Sequence, residues 1–104
     1  MPNLITVYWR DIPAQVIAKE RRQSEKVQLS DRFAEAIDAA AMRAGKAGTD
    51  AYLEEWRRIS ENCGDDLRAE VEAAAAKLEQ SYDRERLIAL VKNDGFEPDR
   101  TPLS

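Results

Sequence analysis

No histidine occurs among the 104 residues of this chain. Its absence removes Ser-His-Asp and Cys-His catalysis, imidazole acid–base chemistry, and zinc or iron held by histidine. There is one cysteine, Cys63, so no disulfide can form within the chain and no thiolate cluster can be built on it. A lone thiol fits a reducing compartment. No apolar run approaches the ~18 residues of a membrane span. The opening Met1-Pro2-Asn3-Leu4 has neither the basic nor the apolar region of a signal peptide. The expected location is therefore the cytoplasm, with no membrane partner. Glycine is scarce as well. There is no G-x-G-x-x-G and no P-loop, and Gly45, Gly48, Gly64 and Gly95 each fall near a predicted helix end.

Basic charge is in short supply. The net charge is −4, which argues against nucleic acid as a partner. Residues 1–29 are slightly basic, with Arg10, Lys19, Arg21, Arg22 and Lys26 against Asp11, Glu20 and Glu25, and Arg21-Arg22 reads as a solvated turn. Nucleic-acid binding through Arg21, Arg22 and Lys26 is the weakest reading of this charge.

What remains is ordinary globular material. The chain is 43% hydrophobic and 35% charged, enough for one core but poorly suited to a core plus a deep cavity. One domain is expected over residues 1–96, followed by a flexible tail at 97–104.

Residues 4–10 alternate as a strand, with Ile5, Val7 and Trp9 on one face and Leu4, Thr6, Tyr8 and Arg10 on the other. Pro13 interrupts the pattern. Residues 14–19 form a second strand, with Ala14, Val16 and Ala18 opposite Gln15, Ile17 and Lys19. Residues 20–25 form a hairpin tip, and residues 26–29 a possible short third strand. Everything after Ser30 reads as helix. Ser30 caps a first helix with Phe33, Ile37, Ala40, Ala41 and Ala44 on one stripe. Thr49 or Asp50 caps a second carrying Tyr52, Leu53, Trp56 and Ile59. Asp65 or Asp66 caps a third with Leu67, Val71, Ala74, Ala75 and Leu78. Asp83 caps a fourth with Leu87, Leu90 and Val91, closed by Gly95 with Phe96 packing back. The alanine patches at 39–41 and 73–76 read as helices packed at short distance, or alternatively as a groove for a partner helix.

The fold class is therefore α+β: a small N-terminal antiparallel sheet of two or three strands, then three or four helices packed on one face.

Two spots could carry chemistry. Cys63-Gly64-Asp65-Asp66 precedes a helix start, which can activate a thiol, but the two aspartates oppose a thiolate and no histidine can serve as base. Asp65 and Asp66 are explained by helix capping without a metal. The other spot is Tyr8, Arg10, Asp11 and Gln15. If helices cover the Trp9 face, Tyr8, Arg10, Gln15 and Ile17 form an open patch of types favoured at interfaces. The alternative is that the segment around Phe96 covers it.

Three runs, residues 5–17 (ITVYWRDIPAQVI), 51–58 (AYLEEWRR) and 63–67 (CGDDL), resemble a family of small bacterial virulence-factor proteins. These are similar to a domain of the conserved virulence factor C proteins. The resemblance implies neither catalytic residues nor a cofactor. It implies an accessory subunit in one-carbon or corrinoid methyl transfer, because such small proteins accompany one-carbon genes, including those for methylenetetrahydrofolate reductase and corrinoid methyltransferase components. The chain lacks the histidine of a corrinoid-binding D-x-H-x-x-G loop.

The expected function is a non-enzymatic protein-interaction or accessory module, with an unidentified protein partner and no cofactor. On that reading Arg10→Glu removes a partner contact and spares stability. The alternative is a small-molecule-binding enzyme component that uses Arg10 with the Cys63–Asp66 turn, which requires the two to share a pocket.

Overall fold

The computed structural model describes residues 2–97. Three strands come first: β1 (Asn3–Trp9), β2 (Ile12–Glu20) and β3 (Gln23–Gln28). Helices α1 (Asp31–Arg43) and α2 (Asp50–Glu54) follow, then a fourth strand β4 (Trp56–Asn62), and finally α3 (Leu67–Ser81) and α4 (Arg84–Lys92). The strands form one antiparallel sheet in the order β3-β2-β1-β4.

The α+β class holds, with two corrections. The sheet has four strands, and helices are interleaved with them rather than confined to the C-terminal half. The predicted second helix stops at Glu54, and Trp56 and Ile59 lie on β4. Tyr52, Leu53, Trp56 and Ile59 match a helical stripe. Trp56 and Ile59 fall on opposite faces of β4, so no apolar alternation marks this stretch as a strand. The outer edge of β1 carries backbone donors and acceptors that need partners, and pairing with β4 supplies them. Tertiary pairing outweighs local period here.

The first hairpin is tighter than expected. Trp9 pairs with Ile12, leaving Arg10 and Asp11 as a two-residue turn, and Arg10 takes a left-handed φ of 55°. The second is tighter too. Glu20 pairs with Gln23, so Arg21 and Arg22 alone form the tip, again with a left-handed Arg21 at φ 51°.

Register decides which face is covered. Leu4 pairs with Ala18 and Thr6 with Val16. Leu4, Val16 and Ala18 join one core with Phe33, Ile37, Leu67 and Val71. Helix α3 packs on β2 and β3, and α1 packs on α4 and β2. Ile5 pairs with Ile17 and Val7 with Gln15, so these four share the opposite face. The expected placing of Ile5 and Val7 under the helices is therefore reversed. The pairing shifts between Val7 and Tyr8, and beyond that irregularity Trp9 and Ile12 enter the core. One extra residue in a strand changes which side chains face inward, and a strict alternation cannot anticipate it. Trp9 and Ile12 are wholly buried, each contributing roughly 1.5–3 kcal/mol of burial.

All four helices start at predicted cap residues, Ser30, Thr49, Asp66 and Asp83, and two of these side chains accept a backbone N–H. Asp66 accepts from Ala69 N at 3.1 Å and Asp83 from Arg86 N at 2.9 Å. Ser30 holds the cap position of α1 but donates instead to Glu79 Oε1 at 2.8 Å. The carboxylate of Glu79 also accepts from Ser30 N and Arg32 Nη2, tying the start of α1 to α3. Of the expected tail, only Glu97 is described; residues 98–104 lie outside the described residues.

Candidate functional site

The turn at Arg10 and Asp11 gathers a dense set of polar contacts among the described residues. Asp11 N donates to Gly95 O at 2.9 Å, and Glu97 N donates to Asp11 Oδ2 at 2.8 Å. On the other side Arg57 Nη2 lies 2.8 Å from Asp11 Oδ1, and Arg57 Nε donates to Arg10 O at 2.8 Å. Asp11 is 3% exposed, so these contacts hold a carboxylate that would be costly to bury alone.

Arg10 is equally enclosed. Its guanidinium sits 5.1 Å from the Trp9 ring centroid and 4.5 Å from that of Phe96. Its Nη1 donates to Asp94 O at 2.7 Å. Its Nε lies 3.4 Å from Glu55 Oε2 without hydrogen-bond alignment, while its Nη2 donates to Glu55 Oε1 at 3.5 Å. The turn thus joins β1, β4 and the segment after α4. Asp11 and Arg10 are brought together, but facing inward, and Phe96 covers Arg10 as the second expectation had it.

Tyr8 does not share a face with Gln15. It stacks under Arg57 at 5.1 Å, and the side-chain register places it on the α3 side, half-buried near Tyr82 and Arg86. Burial pushes its hydroxyl above the ordinary tyrosine value, against a smaller opposing pull from Arg57. The open patch of Tyr8, Arg10, Gln15 and Ile17 is therefore not formed. Only Gln15 and Ile17 share the face away from the helices, and there Ile17 is itself buried.

Cys63 lies at the other end of the sheet. Asn3 pairs with Asn62, and Cys63 N donates to Pro2 O at 3.2 Å. Arg10 follows the opposite end of β1. The strand has 7 residues and rises about 3.3 Å per residue, so the two ends stand about 20 Å apart. Arg10 and the Cys63–Asp66 turn share no pocket, which removes the geometric requirement of the enzyme reading. Loss of solvent pushes the Cys63 thiol up, and Glu70, Asp65, Glu20 and Glu61 push it further the same way. That is the reverse of an activated nucleophile. Among the described residues no three of Cys, Asp and Glu gather as a metal site. None of the described helices is long and apolar enough to cross a membrane.

The accessible surface lies at β4. This strand is an edge, pairing only with β1, and Arg58 through Asn62 are exposed along it. Beside it Val7, Gln15, Trp56, Arg57 and Arg58 line a shallow depression. Sequence reasoning found Gln15 but missed Val7, Trp56 and Arg58. No local signal was available for the last two, because the apolar spacing of Trp56 and Ile59 fits a helix and not a strand.

Fold and surface together define a small α+β protein whose polar turn at Arg10 and Asp11 is structural and whose accessible features include the exposed edge strand β4. A family model described as "Virulence factor" matches residues 7–91, and the chain belongs to that family. Neither the curated proteins nor the solved structures contain a match to it.

Proposed function

We propose that this chain is a non-enzymatic accessory protein that takes up an extended segment of a partner protein along β4. The observation that carries it is the free, exposed edge of β4 beside the Val7–Gln15–Trp56–Arg58 depression. An edge strand offers a row of unpaired backbone donors and acceptors, and adding a strand to it is a recurrent mode of peptide recognition. The depression suits an apolar side chain against Val7 and Trp56. Arg58 suits a carboxylate next to it, since it has no ion pair among the described residues. The family resemblance makes methylenetetrahydrofolate reductase and corrinoid methyltransferase components the first partners to test. A cytoplasmic location accords with this reading and with the lone reduced cysteine.

The test is NMR titration of the labelled protein with peptides selected against it from a random display library, and with those one-carbon proteins. Saturable shifts along β4 and in Val7 and Gln15, lost in Arg58→Glu and Ile59→Lys, support the reading. Selected ligands that leave β4 unmoved overturn it.

A further inference from the structure

Helices α1 and α4 lie side by side, and their outward seam forms a groove of about 370 Å³. Its floor is apolar: Ala36, Ala39, Leu87, Ile88 and Val91. The two alanines leave room on α1, and Ile88 stands 44% exposed on α4. The rim carries Arg32, Arg84 and Lys92 against Glu35. Arg32 is neutralised by Glu79 at 3.0 Å. Arg84 and Lys92 have no ion-pair partner among the described residues. They mark the first and last residues of α4, which at about 1.5 Å per residue puts them about 12 Å apart. A chain of net charge −4 thus places two uncommitted cations at the ends of an apolar slot.

We infer that this groove docks an acidic amphipathic helix of a partner protein, with two apolar side chains one turn apart between carboxylates about two turns apart. A helix suits the site better than a strand. An extended segment would lay backbone donors and acceptors on an apolar floor without partners, whereas a helix satisfies its own. Two parallel ridges with a seam between them also accept a third helix by ordinary ridge-into-groove packing. The carboxylates then meet Arg84 and Lys92. The groove shares no residue with the β4 depression, so the inference stands or falls apart from the strand-addition reading.

The experiment titrates the labelled full chain with two stapled helices of about 14 residues, the staple offsetting the weak helicity of so short a peptide. One carries two leucines flanked by glutamates, the other the same leucines flanked by lysines. The glutamate helix should shift the amides of Ala36, Ala39, Leu87, Ile88 and Val91 saturably. The lysine helix should bind about tenfold more weakly, equivalent to about 1.4 kcal/mol. Arg84→Glu should weaken the glutamate helix about fivefold. Ile88→Asp should abolish binding with little change in melting temperature, because the side chain is largely exposed. Arg58→Glu should leave it unchanged. Equal binding of both helices, or no saturable shift at the groove, overturns the inference. So does a dimer in sedimentation that Ile88→Asp dissociates, which would assign the groove to a second copy. Saturation by decanoate where both helices fail would assign it to an acyl anion and overturn it as well.

Discussion

Arg57 Nη2 stands 2.8 Å from Asp11 Oδ1, and through that contact the edge strand β4 is fastened to the turn between β1 and β2. The other oxygen of the same carboxylate accepts from Glu97 N at 2.8 Å, so one buried side chain joins β4, the first hairpin and the C-terminal segment. Asp11→Ala leaves Glu97 N and the partly exposed Arg57 guanidinium without this acceptor, and should cost about 1–3 kcal/mol in urea unfolding. Asp11→Asn should cost less, because an amide oxygen can still accept. A loss under about 1 kcal/mol for the alanine variant would mean that water replaces these contacts freely.

Arg10→Glu separates a structural role from a binding one. From sequence, Arg10 is a candidate contact residue whose reversal spares the fold. Its place between Trp9 and Phe96, with Asp94 O at 2.7 Å, predicts the opposite. Reversal puts a carboxylate beside Glu55 in a site only 8% exposed. The expected cost exceeds about 3 kcal/mol, a drop of at least about 10 °C in Tm for a domain of this size. Arg10→Lys should fall between, retaining charge but losing the planar group that lies over the rings. An unchanged Tm for Arg10→Glu would return the residue to the surface.

Gly95 is the one glycine whose lack of a side chain is required twice over. Its φ is +95°, and an added Cβ would meet Trp9 Cζ3 at 2.9 Å and Arg10 Cδ at 3.2 Å. Gly95→Ala combines a disfavoured backbone with overpacking against a buried tryptophan, for an expected loss of about 2–4 kcal/mol. Gly48→Ala is the control. It has a similar φ of +74° but open space around it, so it should lose only the backbone part, about 1 kcal/mol. Equal losses at both positions would show that contact with Trp9 contributes nothing.

Burial raises the hydroxyls of Tyr8 and Tyr82 above the ordinary tyrosine value, and in Tyr82 proximity to Tyr8 adds to the rise. An unfolded tyrosine ionises near pH 10. Below that value both states keep the proton, and the stabilisation is fully present. As pH climbs from there through the raised folded values, only the unfolded chain gains by releasing protons, and stability falls. Urea midpoints should thus fall above about pH 10, and Tyr8→Phe should flatten part of that decline. An identical decline in Tyr8→Phe would exclude its hydroxyl.

Cys63 tests the acidic turn. The raised thiol should alkylate with iodoacetamide more slowly at neutral pH than the same cysteine in the urea-unfolded chain, with its rate still rising past the ordinary thiol midpoint. Glu70→Gln removes the largest charged contribution and should shift the profile to lower pH. Faster labelling of the native protein at pH 7 would mean an activated thiol.

The sequence by itself determined the elements whose signals are local. Asp66 and Asp83 announce helix starts because a short carboxylate three residues ahead of a backbone N–H can cap it wherever the chain folds. The alternation in residues 4–9 marks a strand, and the stripe of Phe33, Ile37, Ala40 and Ala41 marks a buried helix face. The missing histidine bounds the chemistry before any fold is known. Tertiary structure decided the rest, because the deciding partners are far apart in sequence. Trp56 to Asn62 became a strand because β1 had an edge to fill. The extra residue of β2 opposite Val7 and Tyr8 broke the simple alternation just before the first turn. Arg10 and Asp11 turned inward because a segment more than 80 residues later closes over them. No local pattern records such closure; it exists only once β4 and the end of α4 meet at the same turn.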